Sequence, residues 1–184
     1  AELVSLRSYL EKRSKKGIED SLDKWIRMVA TNRLTGHSKG FFSVYTRPPN
    51  QAVSQESQIE INKKLKQKPE YRDTRSILLK KSKDLVRNLT EKQIHNLRHS
   101  GNEATFLTVD SRKTTEIRAN SVQLTVTSPP FLDIVDYHQD NWLRCWFNCI
   151  DDEKVSKNIT MSKKLEEWVS IIEQVFAELH RITK

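Results

Sequence analysis

Glycine is scarce in this chain: four in 184 residues, and none after Gly101. A loop that cradles phosphate needs glycines close together, so that the backbone can approach the ligand with no Cβ in the way. Gly17, Gly36, Gly40 and Gly101 form no such cluster, which excludes a Walker loop. Cysteine is scarcer still. Cys145 and Cys149 stand four apart on an expected helix, without the further Cys or His that a zinc site needs. A disulfide within one helix is poorly suited geometrically, so both read as small buried apolar residues in a reducing compartment. No apolar run approaches the ~20 residues of a membrane span, and no signal-peptide pattern is present. The expectation is a soluble, cytoplasmic protein. His-Glu-x-x-His, internal repeats and low-complexity tracts are also missing.

What the chain has in excess is positive charge. The formal net charge is +8 and the pI about 9.5, which points to an anionic partner. The excess is uneven. Residues 1–100 hold 22 Lys+Arg against 11 Asp+Glu, a net of +11, and residues 101–184 hold 10 against 13, a net of −3. This divides the chain into a basic segment, 1–100, and a second segment, 101–184.

The basic segment reads as mostly helical. Leu3, Leu6 and Leu10 give a helix over 2–16, ended by Gly17. Asp20 or Ser21 caps a second helix, 22–34. A polar turn follows, then an aromatic loop through Phe41, Phe42 and Tyr45. Arg33, His37, Lys39 and Arg47 surround that loop. Cations interleaved with rings suit nucleic acid, because guanidinium groups hold phosphate and rings accept unstacked bases. The plainer reading has the aromatics pinning the loop to the core. Helices over 51–68, ending in Lys63, Lys64, Lys66 and Lys68, and over 73–88 complete the basic surface. Lys63 and Lys64 join the candidate nucleic-acid contacts. Thr90-Glu91-Lys92-Gln93 reads as a capping box that opens a short helix.

After Gly101 the pattern changes. Thr105–Val109 and Ser121–Thr127 are short runs rich in β-branched residues, and the second alternates apolar with polar, so both read as strands. Asp110 and Ser128 close them. Pro129 and Pro130 lack a backbone N–H and push Ser128 toward extended backbone, so the second strand stops there. This leaves carbonyl acceptors in a stiff turn beside Phe131, features that could hold a planar amine. A helix over 136–149 and a strongly periodic helix over 161–183 follow.

Val126-Thr127-Ser128-Pro129-Pro130-Phe131 resembles the catalytic motif of the DNA amino-methyltransferases, which methylate N4 of cytosine or N6 of adenine. Val109-Asp110-Ser111-Arg112 resembles the acidic strand end on that family's cofactor side. Asp136-Tyr137 with Asn141-Trp142-Leu143, Asn32 through Ser38 and Phe41 through Thr46 resemble helical regions of one prokaryotic branch. The resemblance implies an α/β fold: an incomplete Rossmann-like methyltransferase sheet with a large, mostly helical N-terminal segment. It implies S-adenosylmethionine as cofactor and double-stranded DNA as partner. It implies catalytic roles for Ser128, Pro129, Pro130 and Phe131, and cofactor contacts from Asp110, Ser111 and Thr127.

The chain departs from the family in lacking the glycine-rich cofactor turn of Phe-x-Gly-x-Gly type. The expectation is therefore an internal portion of such an enzyme, completed by a complementary chain or segment that carries that turn. Two other readings remain: a non-enzymatic nucleic-acid-binding module with a coincidental Ser-Pro-Pro turn, and a structural interaction domain whose charges only solubilise it.

Overall fold

The structure is a computed structural model. It describes all residues except 37, 44, 45, 48–50, 67, 69, 131, 133–136, 160, 161 and 163, and omits the side chains of 46, 47, 51, 137 and 138. In chain order the elements are α1 (Glu2–Lys15), α2 (Ser21–Arg33), β1 (Thr46–Arg47), β2 (Gln51–Ala52), α3 (Gln55–Lys64), α4 (Thr74–Val86), α5 (Glu91–Glu103), α6 (Tyr137–Asn148), α7 (Asp152–Ser156) and α8 (Leu165–Ile182). They divide into two compact units, 1–89 with 137–159, and 90–136 with 160–184.

The first unit is built on α1, α2 and α6. Each of these helices brings an apolar stripe inward, and Leu10, Ala30, Leu34 and Phe147 meet in a buried cluster. Helix starts follow from the sequence. Asp20 caps α2 in a capping box with Asp23, whose buried carboxylate also takes the Arg13 guanidinium. Ser54 and Asp73 cap α3 and α4 by accepting from Ser57 N and Ser76 N. Gly17, with φ of +67°, lets the chain leave α1. Polar contacts tie on the outer helices. Arg7 lies over the Trp146 ring and donates to its carbonyl at 2.6 Å, and Trp25 Nε1 donates to Ser82 Oγ of α4 at 2.9 Å. Strands β1 and β2 pair antiparallel, Thr46 opposite Ala52 and Arg47 opposite Gln51.

In the second unit, α8 carries the strongest amphipathic pattern of the chain and buries Ile172 and Ile182. A polar latch holds segment 113–118 to it. Glu178, itself buried, accepts from Thr114 N at 2.7 Å, Thr114 Oγ1 at 2.6 Å and Arg181 Nη2 at 2.6 Å. Arg181 Nη2 also donates to the carbonyls of Thr114 and Ile117, each at 3.0 Å.

The architecture corrects the expected fold class. No α/β sheet of Rossmann type is formed: among the described residues the strands are β1 and β2, two residues each. The runs 105–109 and 121–127 are not strands. Backbone bonds hold Asn120, Ser121 and Val122 against Arg181, Ile182 and Lys184, with a single bridge, Val122 to Thr183. Beyond that point no described residue forms a backbone ladder with the chain, and Phe106, Leu124 and Val126 stand 91%, 77% and 87% exposed. Alternation favours a strand only where a neighbouring strand accepts its backbone and a core accepts its apolar face. Neither is present among the described residues. The cysteines are also corrected: both are free, but Cys145 is half-buried and Cys149 exposed. Among the described residues no helix is long and apolar enough to cross a membrane.

Candidate functional site

The Ser128-Pro129-Pro130 segment belongs to the second unit and lies outside regular structure. All three residues are exposed. The chain reaches them from the anchor at Asn120–Val122 through five residues without regular structure, of which Thr125 lies with its hydroxyl 3.5 Å from that of Thr183. One contact holds the far end: Trp168 Nε1 of α8 donates to the Pro130 carbonyl at 3.1 Å. Trp168 is an element of the site that the sequence did not reveal. Its position on α8 marked it as packing, and an indole N–H beside an apolar face needs an acceptor that only the fold supplies. The Ser128 hydroxyl and the Pro129 carbonyl make no hydrogen bond to any described residue. Phe131 lies outside the described residues.

On the cofactor side, Asp110 forms a closed pair with Arg112. Arg112 Nε lies 3.0 Å from each carboxylate oxygen, Nη2 2.6 Å from Oδ2, and the Arg112 backbone N–H 2.9 Å from Oδ1. The side-chain bonds from Arg112, then its backbone N–H, hold the Asp110 carboxyl down at about 2. The charge is answered locally, and both oxygens are occupied. Ser111 sits in the turn between them, and Thr127 is exposed on the segment leading to Ser128. With no sheet edge to gather Asp110, Ser111 and Thr127 and no glycine cradle, the described residues do not fit S-adenosylmethionine.

The candidate nucleic-acid residues lie in the first unit. Arg33 closes α2 and folds back onto its own loop. Its guanidinium sits 4.0 Å from the centre of the Phe41 ring and donates to Asn32 Oδ1 at 2.7 Å. Burial lowers its pKa. Gly36 makes this possible: a Cβ there would lie 2.4 Å from the Phe41 ring. Phe41 therefore packs within its own loop, on Gly36 and Arg33, while Phe42 packs against the core cluster, and Arg33 is partly committed to that loop. Lys39, Lys63 and Lys64 are exposed. None of these three lysines forms an ion pair with a described residue. His37 and the side chain of Arg47 lie outside the described residues.

The first unit also holds a cleft of about 350 Å³ lined mainly by Val53, Ile59, Trp142 and Leu143, with Ser43, Gln55 and Gln58 at its polar parts. Trp142 Nε1 is tied to the Val53 carbonyl at 3.1 Å. Among the described residues no group of His, Cys, Asp and Glu could hold a metal ion. No protein-family model matches the sequence, and no characterised protein or solved structure is detectably similar to it.

Proposed function

We propose that this chain contributes the amine-binding turn and the DNA-binding helical part of a site-specific DNA amino-methyltransferase. In this reading S-adenosylmethionine is held by residues beyond those described, on the same polypeptide or on a complementary one. The observation that carries the reading is the state of Ser128 and Pro129. A hydroxyl oxygen and a carbonyl oxygen on consecutive residues are exposed and unpartnered among the described residues, at a position where two prolines favour extended backbone. The exocyclic amine of cytosine or adenine has two N–H bonds to give. Ser128 Oγ takes one and the Pro129 carbonyl the other, which draws the nitrogen lone pair out of conjugation with the ring. The Pro130 carbonyl already serves Trp168, so it fixes the turn and does not bind the base. Phe131 supplies the stacking face. The base reaches the turn by flipping from the duplex, at a cost of about a few kcal/mol. The turn then acts by position and hydrogen-bond acceptance.

The test is expression of the protein at its natural length in a bacterial strain free of DNA methylation, followed by sequencing that reads N4-methylcytosine and N6-methyladenine. Modified bases in one short context are expected. Their loss in the Ser128→Ala, Phe131→Ala double variant, with DNA binding retained, supports the assignment. Modification that persists in the double variant, or none with the natural protein, overturns it.

A second reading, a nucleic-acid-binding module without enzymatic activity, is favoured by the lysines left unpaired on a unit whose described strands are only the two-residue β1 and β2. It predicts salt-sensitive DNA binding that is indifferent to S-adenosylhomocysteine.

A further inference from the structure

The basic residues of the first unit fall into two classes. Most arginines are engaged internally: Arg7 on Trp146, Arg13 on Asp23, Arg27 on Glu19, Arg33 on Phe41 and Arg72 on the Phe41 carbonyl. On α4 the pattern reverses. Helix α4 packs on α2 through Trp25 and Ser82, and it buries Thr74 and Ile77. At about 100° per residue, Arg75, Lys80, Lys83 and Arg87 share an arc of about 140° that starts beside Ser82 and runs away from Thr74 and Ile77, with the exposed Leu79 and Val86 between the cations. All four are exposed. Arg75, Lys80 and Lys83 have no hydrogen bond or ion pair to any described residue. The two carboxylates of the segment leave them free, since Asp73 caps the Ser76 N–H at 2.7 Å and Asp84 meets Arg87 at 3.8 Å.

We infer that this outward face of α4 is a docking surface for the sugar–phosphate backbone of duplex DNA; the inference rests on the DNA partner proposed above. The argument is charge and spacing. From Arg75 to Arg87 the helix rises about 18 Å. DNA offers one phosphate per about 3.4 Å of axis on each strand, so the face spans about five phosphates of one strand. An unpaired cation on this face pays no internal partner when it meets phosphate, whereas Arg13 or Arg27 would have to abandon a carboxylate. Side chains on a helix held by a half-buried aromatic contact, Trp25 on Ser82, also present their charges in a fixed register. The contacts are to backbone, so they position the protein without reading sequence.

The experiment measures binding of the full chain to a fluorescein-labelled duplex by anisotropy, from 50 to 300 mM salt. The wild type is compared with Arg75→Gln, Lys80→Gln, Lys83→Gln, and with a control of equal charge loss, Lys12→Gln, Lys16→Gln, Lys157→Gln. Lys12, Lys16 and Lys157 are exposed and lie on α1, at its end and after α7. Circular dichroism checks that both variants keep their helix. Each phosphate contact contributes about 0.9 to the slope of log K against log salt. The α4 variant is expected to lose two to three units of slope and about 10²-fold in affinity at 0.15 M salt. The control is expected to lose less than one unit. An unchanged slope in the α4 variant, or equal losses in both variants, overturns the α4 surface while leaving DNA binding standing. A wild type that binds no duplex at 50 mM salt overturns the DNA partner as well.

Discussion

Phe147→Ala is the substitution that most directly tests how the first unit is held together. Phe147 is fully buried and lies against Leu10, Ala30 and Leu34, on a helix more than 100 residues later in the chain. It is therefore the bolt that joins 137–159 to 1–89. Removing the ring takes roughly 150 Å² of apolar surface out of burial. At about 25 cal/mol per Å² that is about 4 kcal/mol. It agrees with the ~3–5 kcal/mol lost when a core Phe becomes Ala. The total stability of a domain is about 5–15 kcal/mol, so the loss is a large share of it. Urea unfolding followed by tryptophan fluorescence is the assay, because Trp25, Trp142 and Trp146 all lie in this unit. The midpoint should fall steeply, and the apparent melting temperature by well over 10 °C. Phe147→Leu, which keeps most of the volume, should cost about 1.5 kcal/mol or less. A Phe147→Ala loss below about 1 kcal/mol would refute the packing argument, because a fully buried ring cannot be removed so cheaply.

Two further outcomes follow from the geometry. The Glu178 carboxyl is held at about 2, chiefly by Arg181 and then by Thr114. A folded value below the ordinary 4.5 stabilises the second unit above that pH, and the contribution is lost as pH falls from about 4.5 through 2. A carbon-13 titration of Glu178 should find its midpoint near 2, and a midpoint near 4.5 would show the latch is not formed in solution. Gly36→Ala should push the Phe41 ring off the loop and release Arg33, at a cost of roughly 1–3 kcal/mol. In a Phe41→Ala background the same change should be nearly neutral, and equal costs in both backgrounds would refute the clash.

The helices were legible because their signals are local. The stripe of Leu3, Leu6 and Leu10, the turn at Gly17, the Asp20 cap and the Thr90 capping box each lie within a few residues of what they specify. Boundaries erred where polar runs extended the pattern: the helix expected over 51–68 is 55–64, and α7 was not seen in the sequence at all. The strands failed for a physical reason. A helix satisfies its own backbone, whereas a strand needs another segment, and the alternation in 121–127 carries no information about whether one is there. The Thr114–Glu178–Arg181 latch and the Trp168 bond to Pro130 were invisible because each joins residues dozens of positions apart. The split of cations into engaged arginines and free α4 residues has the same origin. Charge counts locate a basic segment, but only partners reveal which charges remain to be met.

That distinction bears on what the Ser128 turn can do. Amine recognition by two acceptors depends on both being held still, because the benefit of position is lost when the geometry wanders. Here the turn is held by backbone bonds at Val122, a long hydroxyl contact from Thr125 to Thr183 at 3.5 Å and one indole contact at Pro130. The side chains that could brace the intervening residues, Leu124 and Val126, face solvent, as does Phe106. The buried apolar side chains described in this unit are Ile172 and Ile182, a small core for the segments it must organise. The acceptors are thus present and chemically available before they are rigid. An activity that relies on them needs a covering surface that buries Leu124 and Val126, the apolar side chains leading to Ser128, and so fixes the turn. The exposed apolar residues and the unpartnered acceptors are then two consequences of one condition: the same covering that stabilises the segment would make its turn competent.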